Sequence, residues 1–451
     1  MSATTMNVTL TQCDRSGTGR SALSDGFAIG RAHVLKRTIL LALTCLVAIA
    51  PLHAKNLPGF GVKLSAVAAA YCNSMVFDSH GTLYYTTATG GIYRLDNGVS
   101  TKLAQVDTAF LGNSGLLGMA LLDDNTAIVH YTQSSAPGLI EPAWEVASKI
   151  DLSSGAETLL ANLPDDITYP GRAVTFEHHG GHPTIGENGT VWFGIGDFYA
   201  FTISADPAWY AGKIIRIDPD KKLTVVASGF RNPYGMAWDR TNKRLVVADN
   251  GDMANDEINI VTSSGGYYGW PCTAGKAPPC DSHPDAVRPI YTFPEIVAPT
   301  GFKAVNGENP YMRSGYLTTS YVTMTIYYFP DIDVRPVPEP IQLLGGEPYS
   351  LIDVALAPNG DIYFTNSMGI YQLTLPQRGD CDADGSVTLR DLDALNRELA
   401  DGDPHRTVYA QEGSFAGSWG CDANADGMIS AADRGALGEL LRLRMRPVRV
   451  H

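Results

Sequence analysis

The sequence predicts an all-β fold, a six-bladed β-propeller, followed by a small α-helical module, and three observations carry that reading. Between about Asn56 and Leu375 one phrase returns six times: an apolar strand, a turn of Asp, Asn or Gly, then a strand rich in Tyr, Val, Ile or Phe. No amphipathic periodicity separates the copies, so repeated antiparallel sheets arranged radially, which protects their edges, account for the pattern. After Pro376-Gln-Arg-Gly379 the period changes from two to helical and two acidic loops appear. A large β-sandwich is the rival architecture for the first region.

The six copies fall at residues 75–85, 117–129, 184–193, 235–247, 301–321 and 354–364. Their spacing is uneven, several tens of residues each, with turns such as Asp78-Ser-His-Gly81 and Asn359-Gly-Asp361 between the paired strands. The predicted organisation is therefore an N-terminal extension with export signal at 1–54, a propeller at 55–376 and a calcium-loop module at 377–451.

Composition narrows the partners. The chain has 451 residues, with 46 Gly, 21 Tyr and 18% charged residues, a profile that excludes disorder and a long coiled coil. Acids outnumber bases 47 to 33, and the net charge of −14 repels nucleic acid and anionic lipid. Cations are the natural ligands.

At the N-terminus Lys36-Arg37 precede an apolar run from Thr38 to Ala50, which ends in Leu52-His-Ala54 with a small residue at the cleavage position. The run is short for a membrane span, so an exported, periplasmic or extracellular protein without a transmembrane anchor is expected. A signal begins near its own basic segment, which places the expected start of translation near Val34. In an oxidising compartment Cys272 and Cys280, flanking a loop with Pro and Gly, are placed to pair. Cys72 is then the odd cysteine and reads as a buried free thiol.

In the tail, Asp380-Cys-Asp-Ala-Asp-Gly-Ser-Val-Thr-Leu-Arg-Asp391 puts carboxylates at loop positions 1, 3, 5 and 12 and Gly385 at the sharp turn. Asp422-Ala-Asn-Ala-Asp-Gly-Met-Ile-Ser-Ala-Ala-Asp433 repeats the frame. A hard cation needs six or more oxygens, and this spacing turns alternate side chains inward. The expected calcium ligands are Asp380, Asp382, Asp384, the Ser386 carbonyl, Thr388 and Asp391, then Asp422, Asn424, Asp426, the Met428 carbonyl, Ser430 and Asp433. Two calcium ions are thus expected. Cys381 and Cys421 sit beside the two loops and are candidates to cross-link them.

Each loop ends in Asp and is followed by a helical stretch, and the pair resembles a dockerin module, a duplicated EF-hand-like loop-helix unit that anchors enzymes to cohesin domains. The resemblance covers Gly379 to about Leu443, with a segment inserted at 401–420. It implies a cohesin-like partner. Loop positions 10 and 11, Leu389-Arg390 and Ala431-Ala432, depart from the common Ser/Thr type. A calcium-stapled terminal module with no partner is the alternative.

In the propeller, His178-His-Gly-Gly-His182 invites a metal reading, but the Gly-Gly argues for a tight turn, not a helix presenting two ligands. One histidine facing the central channel as a general base is the functional alternative, since neutral imidazole accepts a proton near pH 7. A satisfied structural histidine is the other.

The stretch from Glu177-His178 to Gly196-Asp197 is similar to the one bearing the catalytic histidine of soluble, pyrroloquinoline quinone (PQQ) dependent aldose and glucose dehydrogenases, grouped with sorbosone dehydrogenases. Further stretches fit in order: Gly115-Leu-Leu-Gly-Met-Ala120, Gly212-Lys-Ile-Ile-Arg-Ile-Asp-Pro219, Gly229-Phe-Arg-Asn-Pro-Tyr-Gly235, Asn250-Gly-Asp252 with Asn255-Asp-Glu-Ile-Asn259, and Tyr268-Gly-Trp-Pro271. The resemblance implies a six-bladed propeller that oxidises an aldose at the anomeric carbon and passes electrons to an external acceptor. It implies His178 as the base and Arg231 as the cation beside the reacting carbonyl. Asn113 and Glu177 become cofactor contacts, and the carbonyls of Gly251 and Asp252 become ligands of a calcium that bridges to the quinone.

The departures are specific. Where the family carries an Arg-x-Arg pair before Asp-Val, the chain reads Ser350-Leu-Ile352-Asp-Val354, and residues 318–325 of the preceding blade contain no cation. PQQ is a tricarboxylate, and bidentate arginine pairing is a strong contribution to holding one. A non-catalytic extracellular binding propeller tethered by its tail, and a calcium-dependent lactonase, are therefore the competing functions.

Overall fold

The computed structural model describes residues 57–67, 71–136, 142–163, 176–252, 254–262, 265–275, 281–400, 405–407 and 418–444. The export segment, Cys280 and most of the insertion at 401–420 lie outside the described residues.

Six antiparallel sheets form the first region, and each of the six sequence copies spans the first hairpin of one of them. Blade 1 runs Cys72–Phe77, Leu83–Thr87, Gly91–Asp96, Val99–Gln105, and blade 2 runs Leu116–Asp123, Thr126–Ser134, Pro142–Asp151, Glu157–Leu163. Blade 3 starts from the short Thr184–Ile185, continues through Val191–Ile195, Lys213–Ile217 and Leu223–Ser228, and gains a parallel edge from Gly266–Tyr267. Blade 4 comprises Pro233–Asp239, Arg244–Asp249, Glu257–Val261 and Tyr291–Thr292, and blade 5 comprises Pro299–Val305, Gly315–Ser320, Ile326–Phe329 and Ile341–Leu344.

Blade 6 is completed from both directions of the chain. Leu351–Leu356, Ile362–Asn366 and Gly369–Thr374 supply three strands, and the N-terminal Gly61–Val67 pairs antiparallel with the last of them, Gly61 opposite Thr374 and Val67 opposite Gly369. This closes the ring: the first strand of every sheet touches the first strands of its two neighbours. Crowding there demands small residues. A Cβ on Gly235 would lie 2.3 Å from the Thr300 carbonyl, and one on Gly301 would lie 2.5 Å from the Val354 amide.

The turns inside the hairpins are built by the residues the sequence offers. Asp78 accepts from the amides of His80 and Thr82 at 3.0 and 2.7 Å, and Asp239 accepts from those of Thr241 and Asn242, both at 3.0 Å. Apolar faces of adjacent sheets fill the space between them, with Trp192 of blade 3 stacked on Trp238 of blade 4 at 5.5 Å. Cys72 is a buried free thiol, pushed up to about 12 by burial. Cys272 is disulfide-bonded.

The tail has helices Leu389–Ala400 and Ala432–Arg444, and strand Met428–Ser430 pairs with His405–Thr407. Cys381 and Cys421 form a disulfide. The tail shares one core with blades 5 and 6: Cys381, Val387, Leu395, Trp419, Ile429 and Leu437 pack with Tyr328, Leu343, Leu344 and Phe364. Trp419, 1% exposed, meets Phe60 edge-on at 5.1 Å and lies against Tyr311 and Tyr328 at 6.1 and 6.2 Å. Tyr311 donates to the Pro376 carbonyl, and Arg313 to that of Ala425. Among the described residues no helix is long and apolar enough to cross a membrane.

Candidate active site

The site lies on the face where the first strands of the blades begin, and loops of blades 2, 3 and 4 build it. His178 precedes the first strand of blade 3 and takes a left-handed backbone, φ 58°. Its Nδ1 lies 2.6 Å from Asp197 Oδ1, at the end of the Val191–Ile195 strand. Asp197 is fully buried, and its other oxygen accepts from Trp270 Nε1 at 2.7 Å. A buried carboxylate on Nδ1 holds the proton there and leaves Nε2 as the acceptor.

Arg231 stands next to this pair. Its carbonyl accepts from the Asp197 amide at 2.8 Å, so the backbone beside His178's carboxylate partner is tied directly to that of Arg231. The guanidinium lies over the Trp270 ring at 5.6 Å, donates to the Asn250 carbonyl at 3.1 Å, and sits 3.7 Å from Asp252 Oδ1. The amides of Arg231 and Asn232 both donate to Asp249, at 3.0 and 2.7 Å. Asn232 in turn accepts from the Gly180 amide at 3.0 Å, which pins the His-Gly-Gly-His turn to blade 4.

The Gly251–Asp252 turn is braced from below. Gly251 donates its amide to Asp256 Oδ1 at 2.8 Å, and Asp256 Oδ2 accepts from the amides of Val297 and Ala298, each at 2.7 Å. The Asp252 carbonyl already accepts from the Ala254 amide at 2.6 Å, leaving one lone pair. Burial raises the carboxyls of Asp249, Asp256 and Glu257, and the neighbouring Glu257 charge adds to the rise at Asp249.

Asn113 and Glu177 come together from blades 2 and 3. The Asn113 amide donates to the Phe176 carbonyl at 2.9 Å, beside Glu177. Burial raises the Glu177 carboxyl, against the opposing influence of His178 and His179. Three buried polar atoms around this space make no hydrogen bond: Asn113 Oδ1, Asn250 Oδ1 and Arg231 Nε. Buried polar atoms are normally satisfied, so these leave hydrogen-bonding capacity for a polar ligand.

The other two histidines of the cluster are fully buried. His179 Nδ1 and His130 Nε2 flank the fully buried Glu145 at 2.6 and 3.1 Å, and together they hold its carboxyl below the ordinary range despite burial. His182 is buried, 3.4 Å from Asp353. Sequence spacing did not separate these roles, nor did it single out Asp197, Trp270 or Glu145, whose partners come from other loops or blades. The motif ending Gly196-Asp197 and the Tyr268-Gly-Trp270 stretch were the available signals.

The departures also have places. Ser350 is partly exposed just before the first strand of blade 6, Ile352 lies within that strand, and Tyr321 and Val322 are exposed beyond a blade 5 strand. The opposite mouth of the ring holds a separate cavity of 560 Å³ lined by all six blades, Asp124, Ile185, Arg240 and Lys303 among them; none of the sequence-predicted residues lines it.

In the tail the two loops have matching hydrogen-bond patterns. Asp380 accepts from the amides of Asp384 and Gly385, and Asp391 from those of Asp382 and Thr388. Asp422 accepts from Asp426 and Gly427, and Asp433 from Asn424 and Ser430. Carboxylate oxygens of Asp380, Asp382 and Asp384 lie within 4.8 Å of one another. Ser386 and Met428 follow the turn glycines. Burial, then the nearby charges of Asp433 and Asp426, push Asp422 up to about 6.

Comparison with known proteins fits this geometry. The sequence model of the Glucose / Sorbosone dehydrogenase family matches residues 70–373, more than half of the chain. The chain belongs to this family. Within it, the chain is 25% identical over 234 residues to quinoprotein glucose dehydrogenase B of Acinetobacter calcoaceticus, covering 42% of the chain and 47% of that protein. It is 26% identical over 224 residues to an aldose sugar dehydrogenase of Escherichia coli, covering 43% and 56%. In both, the matched stretch is less than two thirds of the relative. Among solved structures, the PQQ-bound aldose sugar dehydrogenase of Streptomyces coelicolor is similar with TM-score 0.58 and 21% identity, over 71% of this chain and 99% of that one. The soluble aldose sugar dehydrogenase of Escherichia coli gives 0.60 and 17%, over 70% and 100%. These likenesses show the six-bladed propeller fold.

Proposed function

We propose that this glucose/sorbosone dehydrogenase family member oxidises an aldose-type sugar at the anomeric carbon, with His178 as the general base and PQQ as cofactor. The observation that carries the reading is the His178–Asp197 pair, which leaves one imidazole nitrogen free to accept beside the Arg231 guanidinium. Asn113, Glu177 and Arg231 would hold the cofactor, consistent with the unsatisfied atoms of Asn113, Asn250 and Arg231, and the carbonyls of Gly251 and Asp252 would hold a calcium beside it. When bound, the quinone supplies a two-electron acceptor for hydride. His178 Nε2 takes the proton of the anomeric hydroxyl, and Asp197 stabilises the imidazolium that forms. Arg231 sits where negative charge develops on an oxygen.

The two tail loops are read as binding two calcium ions, Asp380–Asp391 and Asp422–Asp433 being the frames. The core shared with blades 5 and 6 favours stapling of the chain end over a free docking arm for a cohesin-like partner. The replacement of the family's arginines by Ser350 and Ile352 favours the second reading for the propeller, a binding domain without catalysis.

The test uses the full chain with calcium and PQQ. Saturable quenching of tryptophan fluorescence by PQQ, with aldose-dependent dye reduction to an external acceptor that His178→Ala lowers by about 10²- to 10⁴-fold, is the expected result. No saturable PQQ binding at micromolar cofactor sinks the first reading in favour of the second.

A further inference from the structure

We propose that Tyr199 is a positioning residue for His178: a fixed aromatic cover over one face of the imidazole that confines approach to the ring edge. The inference rests on His178 being the base, but the geometry behind it is independent of any cofactor. The two rings stack at 4.1 Å between centroids and 30° between planes. His178 is only 5% exposed although it lies at a mouth of the ring, whereas Tyr199 is 40% exposed and takes the solvent in its place.

The cover is held, not draped. Asp197 Oδ1, which binds His178 Nδ1, also accepts from the Tyr199 amide at 2.9 Å, so one oxygen fixes both the imidazole and the ring above it. Phe198 is buried and meets His179 edge-on at 5.1 Å, anchoring the preceding residue. Phe198 and Tyr199 both take left-handed backbone, φ 50° and 58°. Two bulky residues in that region in succession carry a conformational cost that the surrounding contacts must meet, and such strain concentrates at functional sites. Tyr199 also continues to Phe201 at 6.0 Å and on to Trp270 at 5.6 Å, under Arg231. An aromatic rim therefore runs from the base to the cation. Its effect is to screen that face and narrow the approach to Nε2 to the ring edge, so that a reagent whose substituents spread above and below the imidazole plane meets the Tyr199 ring.

Carbethoxylation by diethyl pyrocarbonate reads this directly, with the rate at His178 measured by peptide mass spectrometry in the full chain. His80, whose side chain is 78% exposed, is the internal reference. Tyr199→Ala is expected to raise the His178 rate relative to His80 by about tenfold, the scale of a stacked aromatic pair, and Tyr199→Phe to keep the original ratio because the ring remains. Equal ratios in all three proteins overturn the proposal, as does a rise in Tyr199→Phe matching that in Tyr199→Ala. If Tyr199→Ala does not fold, Tyr199→Trp decides: a larger ring must hold His178 at or below the original rate, and a rise overturns the cover. Labelling needs no quinone, so a chain without dehydrogenase activity still answers this question, and an active chain with unchanged labelling defeats the cover alone.

Discussion

The tail loops and the propeller mouth both gather acidic groups, yet they are prepared for opposite tasks. In the tail loops the carboxylates are met mainly by backbone amides of their own loop, and those of Asp380, Asp382 and Asp384 converge on one another, an arrangement suited to added positive charge. In the propeller the buried carboxylates are already paired: Asp197 with His178 and Trp270, Asp249 with the amides of Arg231 and Asn232, Asp256 with those of Val297 and Ala298. The first site is built by twelve consecutive residues, the second by loops from three blades. A local site binds by spacing, whereas a distributed one positions by mutual constraint, so damage should spread differently from each.

The largest expected effect tests whether the tail is separable at all. Trp419→Ala should cost about 3–5 kcal/mol, as for other buried aromatic truncations, and denaturant unfolding followed by both helix and aromatic signals should shift as one. Loss of the helix signal with the aromatic signal unchanged would divide the two regions. Next in size is calcium: at a hundredfold excess over its dissociation constant each bound ion contributes about 2.7 kcal/mol. Calorimetry with calcium and then with excess chelator should show the melting temperature of the whole chain falling, and Asp422→Ala should abolish part of that response. A melting temperature blind to chelation would remove the ions from the tail.

The smallest effect belongs to the channel. Burial lowers the His182 imidazole below its ordinary 6.5, against the Asp353 charge, with Lys303 and His130 acting in the same direction as burial. The folded state therefore binds fewer protons there than the unfolded one, so stability is full above 6.5 and declines as pH falls below it, by at most about 1.4 kcal/mol per unit. Urea midpoints at pH 7.5 and 5.5 should differ accordingly, and His182→Gln should flatten that part of the dependence.

How much was legible in the sequence follows from locality. The six inner hairpins could be read because each turn is made by its own Asp, Asn or Gly, and the calcium frames because each is continuous. The closing strand Gly61–Val67 could not, since its partner Gly369–Thr374 lies some 300 residues away and leaves no local mark. His178, His179 and His182 share one motif, and only the positions of Asp197, Glu145 and Asp353 separate the imidazole at the mouth from the two deeper ones. Tyr199 was invisible for the same reason: its meaning comes from the ring beneath it. Trp419 falls within an insertion of the tail, where spacing says nothing about what it packs against.

The late completion of blade 6 bears on how this chain is made. Synthesis delivers Gly61–Val67 first and Gly369–Thr374 last, so the earliest strand waits as an unpaired edge while five blades are produced. Such distant pairing is slow and leaves a sticky template exposed in the meantime. Phe60, next to that strand, finds Trp419 only when the final segment arrives, and the Cys381–Cys421 bond then ties that segment on itself. Closure of the ring is thus timed by its own last strand, and a chain cut short before residue 369 would leave the ring open along one seam.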